Sequence, residues 1–167
     1  MHASSLAKLV PAHFGFMRPR QVTEAIYFRR LRRNRLNELA PVVFSAAEEG
    51  DAVARSIVDR QADEVVTMAR AAIRKLRMAE MDVDVVLGGG IFRNRSKAFF
   101  RRIEDGLHAL APSSRMIVLS APPVAGAALV ALDGLGAGPA AKERLRAALT
   151  GSRLAAHTRP RRPRKER

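Results

Sequence analysis

The chain has 167 residues, enough for one domain with an ordinary core. It is 47% hydrophobic but only 5% aromatic, which predicts a helix-rich, alanine-packed body with few bulky anchors. The absence of cysteine excludes disulfides and thiolate chemistry and fits a reducing, cytoplasmic setting; no apolar run is long enough to span a membrane, and MHASSLAKLV lacks the basic start of a signal peptide.

The formal net charge of +14 is not spread evenly. Residues 18–35 hold seven arginines against Glu24, and residues 151–167 hold seven basic residues against Glu166, so the centre of the chain is close to balanced. The basic character therefore does not belong to the expected core. The ending TRPRRPRKER has almost nothing to bury, and it predicts a disordered tail over 157–167 that attracts polyanions weakly and with strong salt dependence. No helix-turn-helix spacing, zinc ligand set or aromatic-interleaved strand accompanies that tail.

Residues 1–20 carry little pattern, being broken by Pro11, Gly15 and Pro19. QVTEAIYF, 21–28, predicts a short helix with Val22, Ala25 and Ile26 on one side, and RRLRRNRL, its arginines punctuated by Leu31 and Leu36, follows as a helical stretch with a very exposed face. NELAPVVFSAAEEG is a second helical piece, interrupted or begun afresh at Pro41 and ended by Gly50. Asp51 reads as the N-cap of the next helix rather than as a catalytic base. From there Ala54, Ile57, Val58, Ala62, Val65, Met68, Ala69, Ala72, Ile73 and Leu76 recur at three- and four-residue steps, an alanine-rich stripe that permits close approach of a neighbour.

MDVDVVLGGG switches to β-prone residues, and its uncharged end suits a strand at 83–88 covered on both faces. Ser96 then reads as a cap for a helix presenting Phe99, Phe100, Ile103, Leu107 and Leu110. RMIVLS gives a second strand at 115–120, VAGAALVALDGLG resumes as helix, and AAKERLRAALTGSRLAA, 140–156, is a loosely amphipathic helix before the tail. The order implies an α/β unit with parallel strands. Two strands make an incomplete sheet. Either more strands lie in the first 45 residues, or the sheet is completed by something outside this sequence.

The glycine triplet after the first strand invites a nucleotide reading. The Walker pattern fails because IFRNRSK follows Gly88 and Gly90 without the second glycine. The dinucleotide pattern G-x-G-x-x-G fails because its third place is Arg93. What survives is a glycine turn at the carboxyl end of a strand, where open α/β sheets place ligands, with Arg93, Asn94 and Arg95 beside it. His2, His13, His108 and His157 lack ligand spacing. Asp82 and Asp84 share a strand face without a third partner for a metal, and Asp133 reads as a helix-end residue. No positioned acid, base or nucleophile stands out.

Several segments together resemble one family. AHFGF (12–16), AIYF (25–28), RLNELAPVVFSAAEEGDAVARSIV (35–58), VVLGGGIF (85–92) and SAPPVAGAALVALDGLG (120–136) are similar in order and spacing to the carboxyl-terminal part of BadF/BadG/BcrA/BcrD-type ATPases, and within them to bacterial N-acetylglucosamine kinases. The resemblance implies the actin, hexokinase and Hsp70 fold, two ribonuclease H-like domains with ATP, Mg2+ and an amino sugar between them. It makes residues 21–136 a partial second domain, 137–156 a helix and linker, and 1–20 a poorly patterned lead. It implies that Gly88, Gly89 and Gly90 lie beside adenine and ribose rather than the transferred phosphate, that the long helix from residue 51 frames the nucleotide side, and that Gly126, Ala127 and Ala128 pack tightly in the core.

The family's two phosphate loops and its catalytic acid have no counterpart in this sequence. The expectation is a kinase-like domain not competent alone, whose partner is a missing amino-terminal domain, an upstream polypeptide or a second copy. The alternative is a non-catalytic binding or self-assembly module derived from such a domain.

Overall fold

The computed structural model describes residues 4–119 and 121–149, which divide after Val118 into two units. The predicted tail at 157–167 and the end of the predicted helix at 140–156 lie outside the described residues.

In the first unit, α1 (Leu6–His13), α2 (Pro19–Tyr27) and a 3-10 turn (Arg33–Glu38) lead into α3 (Leu39–Glu48) and the long α4 (Ala52–Lys75). Then come β1 (Asp84–Leu87), a 3-10 turn (Gly90–Arg93), α5 (Lys97–His108) and β2 (Arg115–Val118). No strand occurs among the described residues of the first 45, so the first of the two ways to complete the sheet is excluded. The result is a helix-rich α/β fold with a small, open, two-stranded parallel sheet, Asp84 opposite Arg115 and Leu87 opposite Val118.

Pro19 and Pro41 occupy the first turns of α2 and α3, where a missing N–H leaves no bond unmade. Asp51 caps α4, accepting from the amides of Val53 at 2.9 Å and Ala54 at 3.0 Å. The same carboxylate also receives the Ser4 hydroxyl and the amide and hydroxyl of Ser5. It thereby ties the start of α1 to the start of α4. These donors, led by the Ser5 hydroxyl, hold Asp51 far below the usual carboxylate range.

The stretch after α2 is helical only in part. Arg29 takes a φ of +56°, which stops α2, and only Arg33–Glu38 returns to a helical form, as a 3-10 turn. Val22, Ala25 and Leu31 form a small core there, covered by Phe14, Phe16, Ile26 and Leu36.

The main core lies between α3, α4, α5 and one face of the sheet, and joins Phe44, Val58, Ala62, Val65, Val66, Ile73, Leu87, Phe99, Ile103 and Leu107. Phe44 of α3 meets Phe99 of α5 edge to face at 5.2 Å. The buried stripe of α4 is narrower than its apolar pattern: Val66 is inside, whereas Ile57, Met68 and Leu76 are exposed and Ala72 lies on the surface. Arg102 grips Asp63 with two bonds of 2.7 and 2.8 Å across the same helix pair.

Coverage of the strands on both faces is overturned. Val85, Leu87 and Met116 face the core, but Val86 and Ile117, opposite each other in the register, are 56% and 41% exposed.

The second unit contains α6 (Pro123–Gly134) and α7 (Pro139–Ala148), packed on each other. Lys142 of α7 forms an ion pair with Asp133, which stands near the end of α6 as expected. Gly126 and Ala127 are exposed, and a Cβ at Gly126 would meet nothing within 4 Å. Within this unit Ala125 is the buried residue of α6. No helix among the described residues is long and apolar enough to cross a membrane.

Candidate functional site

Two parallel strands place both of their carboxyl ends at the same end of the sheet, and the glycine turn leaves β1 there. Leu87, 5% exposed, anchors the strand end in the core, and Gly88, Gly89 and Gly90 emerge directly into solvent. Gly89 has φ +124° and ψ 169°, a region essentially closed to residues with a side chain. Gly90 has no such constraint, and a Cβ added there would meet nothing within 4 Å. Backbone conformation thus accounts for Gly89, whereas neither conformation nor packing accounts for Gly90.

Beyond the glycines the backbone is held firmly. Ile91 and Phe92 pack on the main core, Phe92 with its ring centroid 6.3 Å from that of Phe99. The Asn94 side-chain amide donates to the Ile91 carbonyl, and its oxygen accepts from the Ser96 amide at 2.9 Å. This local clasp, rather than Ser96, sets the entry to α5. Ser96 stands at the N-cap position and is buried, yet its hydroxyl makes no cap bond, which corrects the expected role. The first amides of α5 consequently have no side-chain acceptor. Arg93, Arg95 and Lys97 stand exposed around them and make no ion pair among the described residues, so this end of the sheet is electropositive.

The other polar residues singled out from the sequence have structural partners. Asp84 pairs with Arg115 across the strands at 2.8 Å and so does not join Asp82 around a metal. No group of three metal-ligating side chains occurs among the described residues. His13 meets Glu38 at 3.3 Å, and the ring Nε2 of His108 lies 3.0 Å from the Ser114 carbonyl. Arg35 clasps Glu38 with bonds of 2.8 and 2.9 Å and, with His13, holds it down at about 2. His2 and His157 lie outside the described residues.

Two features escaped the sequence reading. One is an open cavity of about 850 Å³ beside the end of α2. The other is Gly106 of α5, where a Cβ would come within 2.7 Å of Val66. A lone glycine inside an amphipathic helix was the available signal for the second.

No family model, curated protein or solved structure matches the chain.

Proposed function

We propose that the chain is the nucleotide-side part of an actin-like sugar kinase or ATPase, a partial ribonuclease H-like domain of the BadF/BadG/BcrA/BcrD type that resembles bacterial N-acetylglucosamine kinases. ATP-dependent phosphorylation of an amino sugar would require the phosphate loops and catalytic acid from another polypeptide. The observation that carries this reading is the exposed turn at Gly88–Gly90, with the Gly90 Cβ position open and no internal packing reason for that glycine.

A flat adenosine needs such a surface, where backbone approaches the ligand without side chains in the way. Gly88, Gly89 and Gly90 would hold the adenosine, and the uncapped start of α5 with Arg93, Arg95 and Lys97 would favour the polyphosphate. Mg2+ would enter with the nucleotide, since the described residues offer it no cluster of ligands. Bound ATP would supply the transferable phosphoryl group; this chain's part is to seat the nucleoside.

Titration of the purified chain with Mg-ATP, followed by backbone amide NMR, tests the reading. Saturable shifts confined to residues 88–97 are expected, and Gly90→Val should weaken them about tenfold by occupying the space the base needs. Absence of saturable binding at millimolar ATP refutes the adenosine site. Turnover of ATP with N-acetylglucosamine by the chain alone refutes the need for a second polypeptide.

The exposed face at Val86 and Ile117 favours the second reading, a non-catalytic assembly module. Each strand has one edge unpaired among the described residues, which is a template for another strand. That reading stands if the ATP site fails.

A further inference from the structure

The arginine-rich stretch at 18–35 is not a uniformly solvated helix face. α2 ends at Tyr27, and the chain reverses through Arg29 in the left-handed region. Leu31, buried at 4% exposure, pins that reversal by donating its amide to the Ala25 carbonyl at 2.8 Å. The reversal brings Arg32 and Arg33 alongside the last turn of α2 and opens the cavity of about 850 Å³, whose lining includes Thr23, Ile26, Tyr27, Arg29, Arg32 and Arg33.

Tyr27 is 80% exposed and Phe28 62% exposed, their rings perpendicular with centroids 5.1 Å apart. The Arg30 guanidinium lies over the Phe28 ring at 5.5 Å, so that ring already carries a cation, while Tyr27 faces the cavity. Arg20 is neutralised by Glu24 and Arg35 by Glu38. Arg29, Arg30, Arg32 and Arg33 make no ion pair among the described residues. The groove therefore combines an uncovered aromatic ring with uncompensated, planar cations suited to phosphate.

We propose that this groove binds single-stranded nucleic acid, with a base stacked on Tyr27 and the flanking phosphates paired with Arg29, Arg32 and Arg33. Aromatic rings beside a basic track are how single strands are held without sequence preference, because every base has a stacking face. A duplex offers no unstacked base to a concave site. A membrane is met by apolar tips projecting from an amphipathic surface, not by an arginine-lined hollow. The inference is independent of the glycine turn and of any nucleotide bound there.

The test uses the full chain with Arg159, Arg161, Arg162, Arg164 and Lys165 replaced by serine, which silences the second basic cluster. Fluorescence anisotropy follows a labelled oligothymidylate, a duplex of equal length and anionic phosphatidylserine vesicles. Saturable binding of the single strand in preference to the duplex is expected. Tyr27→Ala should weaken it about tenfold. The pair Arg32→Gln and Arg33→Gln should reduce the slope of log K against log salt by about 1.4, the share of two single-strand phosphate contacts. Tyr27 is so exposed that its substitution leaves the fold intact, which circular dichroism checks. Unchanged affinity in Tyr27→Ala, equal binding of duplex, or binding of vesicles without the single strand overturns the proposal.

Discussion

Gly106 offers the sharpest test of how α4 and α5 meet. An added Cβ would lie 2.7 Å from Val66 Cγ2, 2.8 Å from Cγ1 and 3.3 Å from Cβ, against an optimal carbon–carbon separation of about 3.5–4.0 Å. Val66 is β-branched and largely confined to one rotamer in a helix, and turning it would replace one methyl by the other. The helices must part instead. Gly106→Ala gains about 1 kcal/mol of helix propensity and loses about 1–3 kcal/mol to overpacking, so the single variant is neutral to moderately destabilised. Val66→Ala removes two buried methyls and by itself costs about 1–3 kcal/mol. Together the two changes relieve each other, since the new methyl occupies space that Val66 has vacated. The expected outcome is a coupling energy of about 1–3 kcal/mol, the double variant being more stable than the sum of the singles. Urea unfolding followed at 222 nm measures it, with unchanged m values as the control. Strict additivity, or a Gly106→Ala chain more stable by its full propensity gain, would show that the helices do not approach so closely.

Two further outcomes follow from backbone and charge. α4 ends with the Arg77 amide bonded to the Arg74 carbonyl and the Met78 amide to the Ile73 carbonyl, which requires the left-handed φ of +56° at Arg77. Gly50 occupies the same place after α3, so Arg77→Gly should raise stability by about 1 kcal/mol, read as a higher urea midpoint; a lower one contradicts the assigned strain. Glu38 is lowered from 4.5 to about 2, first by its bond to Arg35, and Asp51 and Asp63 are lowered as well. The folded chain then binds fewer protons than the unfolded one, so these groups contribute fully above about pH 4.5 and progressively less as the pH falls toward 2. A series of urea midpoints should decline in that window, less steeply for Glu38→Gln, and stability that rises on acidification would exclude the ion pair and cap as drawn.

The features that could be read from the sequence are those whose cause is local. Asp51 caps α4 because its short carboxylate reaches amides two and three residues on, and the largely apolar, valine- and isoleucine-bearing runs at 85–87 and 115–118 form strands in parallel as their spacing around α5 requires. Two adjacent apolar strips on α4 share one helical period. Which of them is buried, the one with Val66 rather than the one with Ile57 and Met68, depends on where α3 and α5 lie. Nothing local announces the stop after α2, since an arginine rather than a glycine takes the left-handed position. α1 was hidden by Pro11, which is nevertheless inside the helix and among its most buried side chains. The position of the glycine turn was legible, but the open space at Gly90 was not, because it depends on what the fold leaves empty.

The two faces of the sheet differ in burial. An isolated pair of parallel strands gains little from its two ladder faces unless both are covered. Here the helices pack on Val85, Leu87 and Met116 of one face, while Val86 and Ile117 on the other remain exposed, and Val53, Ile57 and Met68 form a second apolar strip along α4. Single exposed apolar residues need no explanation, but paired ones across a strand register do. They form an apolar surface open to a further strand or a second polypeptide.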